Sequence, residues 1–232
     1  MREFLLYEGV GRFSPAHLIW LCLAVYSAKA LCTGYLRLDG AGAKRQRLTL
    51  GVTAAALQLF RAAMLFRDGL FDWEMLPLQL FSASAFLCLA HCIWGGALLG
   101  QFLYAVSLPA VLLSLFLLPW SGFGAAHYVT VAGFGGCICV VSYVLMLLAS
   151  GELCPDICRA PACLGILLGW AAALRLFNLF MGTEHSLLGL AGAAGSGRWL
   201  DSLWQQPLLA VAALLGWLMM YLPFMLTKKA AD

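Results

Sequence analysis

Apolar residues along this chain come in long blocks separated by short polar stretches. Seven blocks stand out, at residues 16–35, 48–66, 75–94, 98–118, 126–148, 162–181 and 207–226. Each approaches the roughly 20 apolar residues that a helix needs to cross a hydrocarbon core about 30 Å thick. No stretch alternates apolar and polar positions in the roughly ten-residue units of an outer-membrane barrel. The pattern predicts an all-α, polytopic membrane bundle of about seven transmembrane helices, a single domain over residues 1–232. Connections are short except residues 182–206, where GLAGAAGSG reads as a glycine-rich turn. Neither a soluble domain nor an internal repeat is evident.

Composition agrees with the pattern. Of the 232 residues, 63% are hydrophobic and 11% charged, against about 25% charged in soluble domains. A formal charge of +3, scattered along the chain, gives no basis for binding nucleic acid. The opening residues balance Arg2 and Arg12 against Glu3 and Glu8, and no small-residue cleavage site follows the first block. The first helix is therefore expected to stay as an anchor rather than be removed as a signal peptide.

Charge also predicts orientation. Arg37, Lys44, Arg45 and Arg47 fall in the first loop, Arg159 in a later one, and Lys228 and Lys229 in the tail. Arg2, Arg12, Arg67 and Arg198 fall on the other side. Basic residues favour the cytoplasmic side. The expectation is a multi-pass protein of the cell membrane, amino terminus outside and carboxyl terminus cytoplasmic. Of the nine cysteines, most lie inside apolar blocks, where cysteine acts as a small hydrophobe. Cys154, Cys158 and Cys163 are spaced C-x3-C-x4-C, without the tight pairs or nearby histidine of a zinc site. Neither a metal nor a cofactor is expected.

Ionisable residues inside a membrane are costly and mark candidate sites. Lys29 lies close enough to an interface to snorkel. Arg61 and Arg175 have no acid in any span to pair with, and each has a polar neighbour three residues away, Gln58 and Asn178, on its own helix face. In the predicted orientation, His17, Arg61, Gln79, His127, Arg175, Asn178, Glu184 and His185 all fall in the outer half. His91 falls in the inner half and reads as a core or interfacial histidine.

This depth sorting predicts an outward-opening polar pocket. Arg61, Gln79, Arg175, Asn178, Glu184 and His185 would bind the anionic or ester head of an amphiphile, with membrane lipid as the expected partner. For catalysis, His127 is the candidate base and Ser82, or Ser84, the candidate hydroxyl. Serines in membrane helices more often serve helix packing. Rival readings are a small transporter or an accessory subunit, whose polar face would dock a membrane-protein partner or a second copy of the chain. Against a transporter, no intramembrane acid offers a proton relay.

Those same residues carry a resemblance. LPLQLFS, residues 76–82, is similar to the LPLHLC motif that opens a central helix in YwaF-type bacterial integral membrane proteins. FSPAHLIWL resembles that family's entry into its first helix, and His127-Tyr128 its HF start of a later one. LFNLFMGTEHSLLGL followed by RWLDSLWQQP resembles its NxxxGxNYxxL segment and the turn beyond. The family is similar to animal multi-pass proteins that hydrolyse or transfer fatty acyl groups with a Cys or Thr nucleophile and a His. The resemblance thus implies lipid or acyl-ester chemistry. This chain departs at the chemistry-bearing positions: Phe81 stands for the motif's Cys, Gln79 for its His, Gly135 for a later His, and Glu184 and His185 for the NY pair. By resemblance, either Ser82 and His127 have replaced the family's Cys/His pair, or the chain binds an acyl lipid without turning it over.

Overall fold

A computed structural model describes residues 10–11, 13–73, 76–117, 123–183 and 220–221, which form helices joined by turns. We label them α1 (Pro15–Tyr35), α2 (Gly40–Arg67), α3 (Leu80–Trp94), α4 (Ala97–Phe102), α5 (Leu108–Leu117), α6 (Tyr128–Ala149) and α7 (Ala160–Met181). A π-helical turn, Leu103–Ser107, joins α4 to α5 without a break, and a 3-10 turn, Ile157–Arg159, leads into α7. Pro109 sits just past the π turn. It has no N–H to continue the regular ladder, and π turns are a usual way to absorb such a defect.

Five of the described helical stretches are long and apolar enough to cross a membrane: Pro15–Tyr35, Gly40–Arg67, Ala97–Phe116, Tyr128–Ala149 and Ile157–Met181. The third block forms only the shorter apolar helix Leu80–Trp94. The seventh lies outside the described residues except for Met220 and Tyr221, which are helical.

Helix starts follow local capping. Ser14 caps α1 by accepting from the His17 N–H, with Pro15 in the first turn. Asp39 caps α2 by accepting from Gly42 N–H at 2.7 Å. That cap corrects the sequence expectation: α2 starts at Gly40, not 48, so Lys44, Arg45 and Arg47 lie in its first turns rather than in a loop. Hydropathy marks where the membrane begins, whereas the cap sets where the helix begins. α3 deviates the other way. Residues 76–79 form a turn around Pro77, and Trp170 of α7 donates its indole N–H to Leu78 O at 3.2 Å.

α6 is the centre of the bundle. Fifteen of its residues are buried, from Val129 to Leu147, the all-round burial of a helix enclosed by others. α1, α2 and α3 pack on it, with Trp20 stacked on Phe134 at 4.9 Å between centroids. α2 approaches α3 through Gly51, where any Cβ would come within 3.2 Å of the Leu89 backbone. α7 leaves Leu168, Leu176, Leu179 and Phe180 exposed, an apolar surface suited to lipid.

Cross-bundle bonds sort the helix ends into two faces. On one, Tyr128 donates its hydroxyl to Asp68 at 2.9 Å, and Trp20 donates to Ala125 O. On the other, Arg47 and Tyr35 both bind Glu152, and Gln101 holds the loop after α6.

Candidate functional site

Arg61 lies two turns from the end of α2 and points into the bundle, 8% exposed. One Nη donates to Ser82 Oγ at 3.3 Å, and the guanidinium carbon sits 5.9 Å from the Phe81 ring centroid. Its Nε has no hydrogen-bond partner, and among the described residues no acid pairs with it. Gln58, one turn back on the same face, is 1% exposed and leaves its Oε1 without a partner. The two share a face because three residues span 300°, nearly a full turn.

Glycines of α6 make room for this polar pair. A Cβ on Gly136 would meet Gln58 Nε2 at 2.7 Å, and one on Gly135 would meet Leu57 Cδ1 at 3.0 Å. The position where the resemblance implies a histidine is therefore filled by Leu57. Phe81, at the implied cysteine position, is 3% exposed and lies against Arg61.

The structure thus brings Arg61 and Ser82 together. Gln79 stands three residues before Ser82 as the N-cap of α3, half-buried, its side chain making no cap bond. Ser84 is turned back onto its own helix, donating to Leu80 O at 2.6 Å. His127 caps α6: its Nδ1 accepts from Val129 N–H at 3.3 Å, and its ring stacks on Phe123 at 4.7 Å. With Nδ1 accepting, the proton of the neutral ring sits on Nε2. His127 and Ser82 share no hydrogen bond. Arg175 is exposed on α7, and Asn178 is half-buried, accepting from the Thr183 hydroxyl at 2.9 Å. Glu184 and His185 lie outside the described residues.

His17 has a different job from the one its depth implied. It is fully buried; Nδ1 accepts from Phe13 N–H at 2.9 Å and Nε2 donates to Leu115 O at 2.8 Å. Nδ1 thus holds the residues just before α1, and Nε2 ties α1 to the end of α5.

At the opposite face a cavity of about 1050 Å³ opens beside Arg47, His91, Gly100, Gln101 and the loop 151–159. Sequence reasoning set His91 aside, yet it lines this cavity. Its Nδ1 is 2.7 Å from the Tyr143 hydroxyl, which Cys92 Sγ also contacts at 3.3 Å. With Tyr143 donating to Nδ1, Nε2 carries the proton and faces Gly100, whose Cβ would stand 3.2 Å away. No spacing in the sequence pairs residues 91 and 143, so only the packing of α3 on α6 reveals it. Gln101 spans the cavity wall, donating to Cys154 O at 2.6 Å and accepting from Asp156 N–H at 3.2 Å. A second, apolar groove of about 360 Å³ is lined by Leu87, Gly96, Leu98, Leu99, Phe102, Ile166 and Trp170. Neither space is lined by Arg61, Gln79, Ser82 or His127. Among the described residues no cluster of His, Cys, Asp and Glu could hold a metal.

Long apolar helices enclosing a buried arginine define a multi-pass, all-helical membrane protein. The sequence matches the TMEM164 family over residues 12–223, and the chain belongs to that family. No curated protein and no solved structure matches it significantly.

Proposed function

We propose that this TMEM164-family protein binds an anionic or ester-bearing amphiphile, with Arg61 as the head-group contact. The carrying observation is the buried guanidinium, which has a neutral serine, an aromatic face and no acid among the described residues. A buried cation without a counter-charge costs several kcal/mol even after relaxation. A phosphate or carboxylate delivered by a ligand would offset that cost and satisfy Nε as well. The Ser82 hydroxyl, which accepts from Arg61 and keeps its own proton to donate, would complete a polar end, with the acyl chain among the helices. The YwaF-type motif order supports the same ligand class, because LPLQLFS supplies Phe81 and Ser82 beside Arg61.

Binding is favoured over turnover. A serine nucleophile needs an adjacent base, whereas the His127 ring spends Nδ1 on its own helix and makes no bond to Ser82. Gln79, Arg175 and Asn178 would line the approach on the same side, which the positive-inside pattern assigns to the outside of the cell membrane.

The test is native mass spectrometry of the full chain purified in nanodiscs, with and without Arg61→Met. A co-purifying anionic or ester lipid that disappears in the variant supports the reading. Equal occupancy in both would sink it. Turnover of an acyl-lipid panel, lost in Ser82→Ala or His127→Ala, would replace binding by catalysis.

A further inference from the structure

Two exposed thiols line a cavity that adjoins an apolar groove, on the face opposite Arg61. Of the nine cysteines, Cys22, Cys154 and Cys158 are exposed. Cys22 lies within α1, facing the surroundings of a membrane span. Cys154 and Cys158 lie instead in the loop between α6 and α7, and both line the cavity of about 1050 Å³. Gln101 fixes this loop through Cys154 O and Asp156 N–H, so the thiols sit at a defined mouth rather than on a trailing segment.

The lining of that cavity includes Gly96, which also lines the groove formed by Leu87, Leu98, Leu99, Phe102, Ile166 and Trp170. Gly96 has φ +102°, a conformation that residues with a Cβ rarely adopt, and nothing lies within 4 Å of where its Cβ would be. The space directly beside Gly96, which both lines the cavity and borders the groove, is therefore open. Every residue lining the groove is apolar or glycine apart from the Trp170 N–H, and that donor is already spent on Leu78 O. A hydrocarbon chain anchored in the cavity would find an apolar groove adjoining it at Gly96.

We propose that Cys154 and Cys158 are S-acylation sites, and that an acyl chain carried there lies in the groove beyond Gly96. In the step, the cysteine sulfur attacks the thioester carbonyl of a long-chain acyl-CoA. The bond from that carbonyl to the CoA sulfur breaks, a protein thioester forms, and CoA leaves as the thiol with the cysteine's proton. The surrounding face suits the donor: Lys44, Arg45, Arg47 and Arg159 stand at this end of the bundle, the bias that marks the cytoplasmic side where acyl-CoA is found. Juxtamembrane cysteines are the usual substrates of reversible acylation. The proposal shares no residue with the Arg61 site and stands or falls apart from it.

The experiment feeds ω-alkynyl palmitate to cells expressing the full chain and measures hydroxylamine-sensitive label on the purified protein. Wild type and Cys22→Ser should be labelled, each single Ser variant at 154 or 158 should carry less, and the double variant none. Size-exclusion profiles matching wild type show that the variants remain folded. Ile166→Trp fills the groove and should speed hydroxylamine release of the label severalfold. Unlabelled wild type, or a double variant labelled like wild type, overturns the acylation sites. An unchanged release rate in Ile166→Trp overturns the seating of the chain.

Discussion

Arg47 and Arg61 sit on the same helix, about 21 Å apart along its axis at 1.5 Å per residue, and they live by opposite rules. Arg47 pairs with Glu152, which also takes the Tyr35 hydroxyl, so one carboxylate pins α1 and α2 to the loop after α6. Both members of that ion pair are partly open to water. Arg61 is buried and has only a serine and a phenyl face. The first arrangement is complete without any ligand. The second is not, and folding alone gives no reason to keep a charge there. An arginine that closes an internal ion pair serves the fold, whereas one left short of a counter-charge points to something the fold receives.

The sharpest test removes the charge. Arg61→Met should lower affinity for an anionic lipid by roughly 10- to 100-fold, as for loss of a charge-assisted bond of about 1.5–3 kcal/mol. Thermal unfolding should meanwhile stay level or improve, since apolar replacement of a buried charge is often stabilising by about 1–4 kcal/mol. A strongly destabilised Arg61→Met with unaltered lipid binding would erase the contrast. Next in size, Gly51→Ala drives a methyl to 3.2 Å from the Leu89 backbone and should cost about 1–3 kcal/mol by overpacking, read as a lower unfolding midpoint. Glu152→Ala takes the partner from both Arg47 and Tyr35 and should cost about 1–2 kcal/mol in the same assay, with lipid occupancy at Arg61 unaffected. The smallest effect belongs to Arg67→Ala. It breaks an exposed contact with Asp68 at 3.0 Å and should shift stability by under about 1 kcal/mol, vanishing at high salt.

Much of the fold was legible because bilayer thickness imposes its own ruler on apolar runs. α1, α6 and α7 begin and end within two residues of the predicted blocks, and the α4–α5 stretch within one. The misses have local causes. Asp39 extends α2 past its apolar run, and Pro77 delays α3. In the candidate site, the shared face of Gln58 and Arg61 followed from helical spacing, because that relation is local. The contact of Arg61 with Ser82 did not, since it depends on how α3 lies against α2. His17 looked like a pocket residue by depth, yet both of its nitrogens serve helix ends, and depth carries no information about direction. His91 was passed over for the same reason. Its partner Tyr143 is 52 residues away, and nothing in the sequence links them.

α3 has 15 residues, so it spans about 22 Å where the hydrocarbon layer measures about 30 Å. The shortfall falls on residues 76–79, a half-buried, non-helical stretch just ahead of α3. Open backbone at that depth is tolerated only when enclosed by protein or touched by water. The non-helical stretch that leads into the helix carrying Ser82 is thus a re-entrant dent in the dielectric barrier. It makes the polar floor near Arg61 shallower, as seen from water, than the length of its neighbouring helices would suggest.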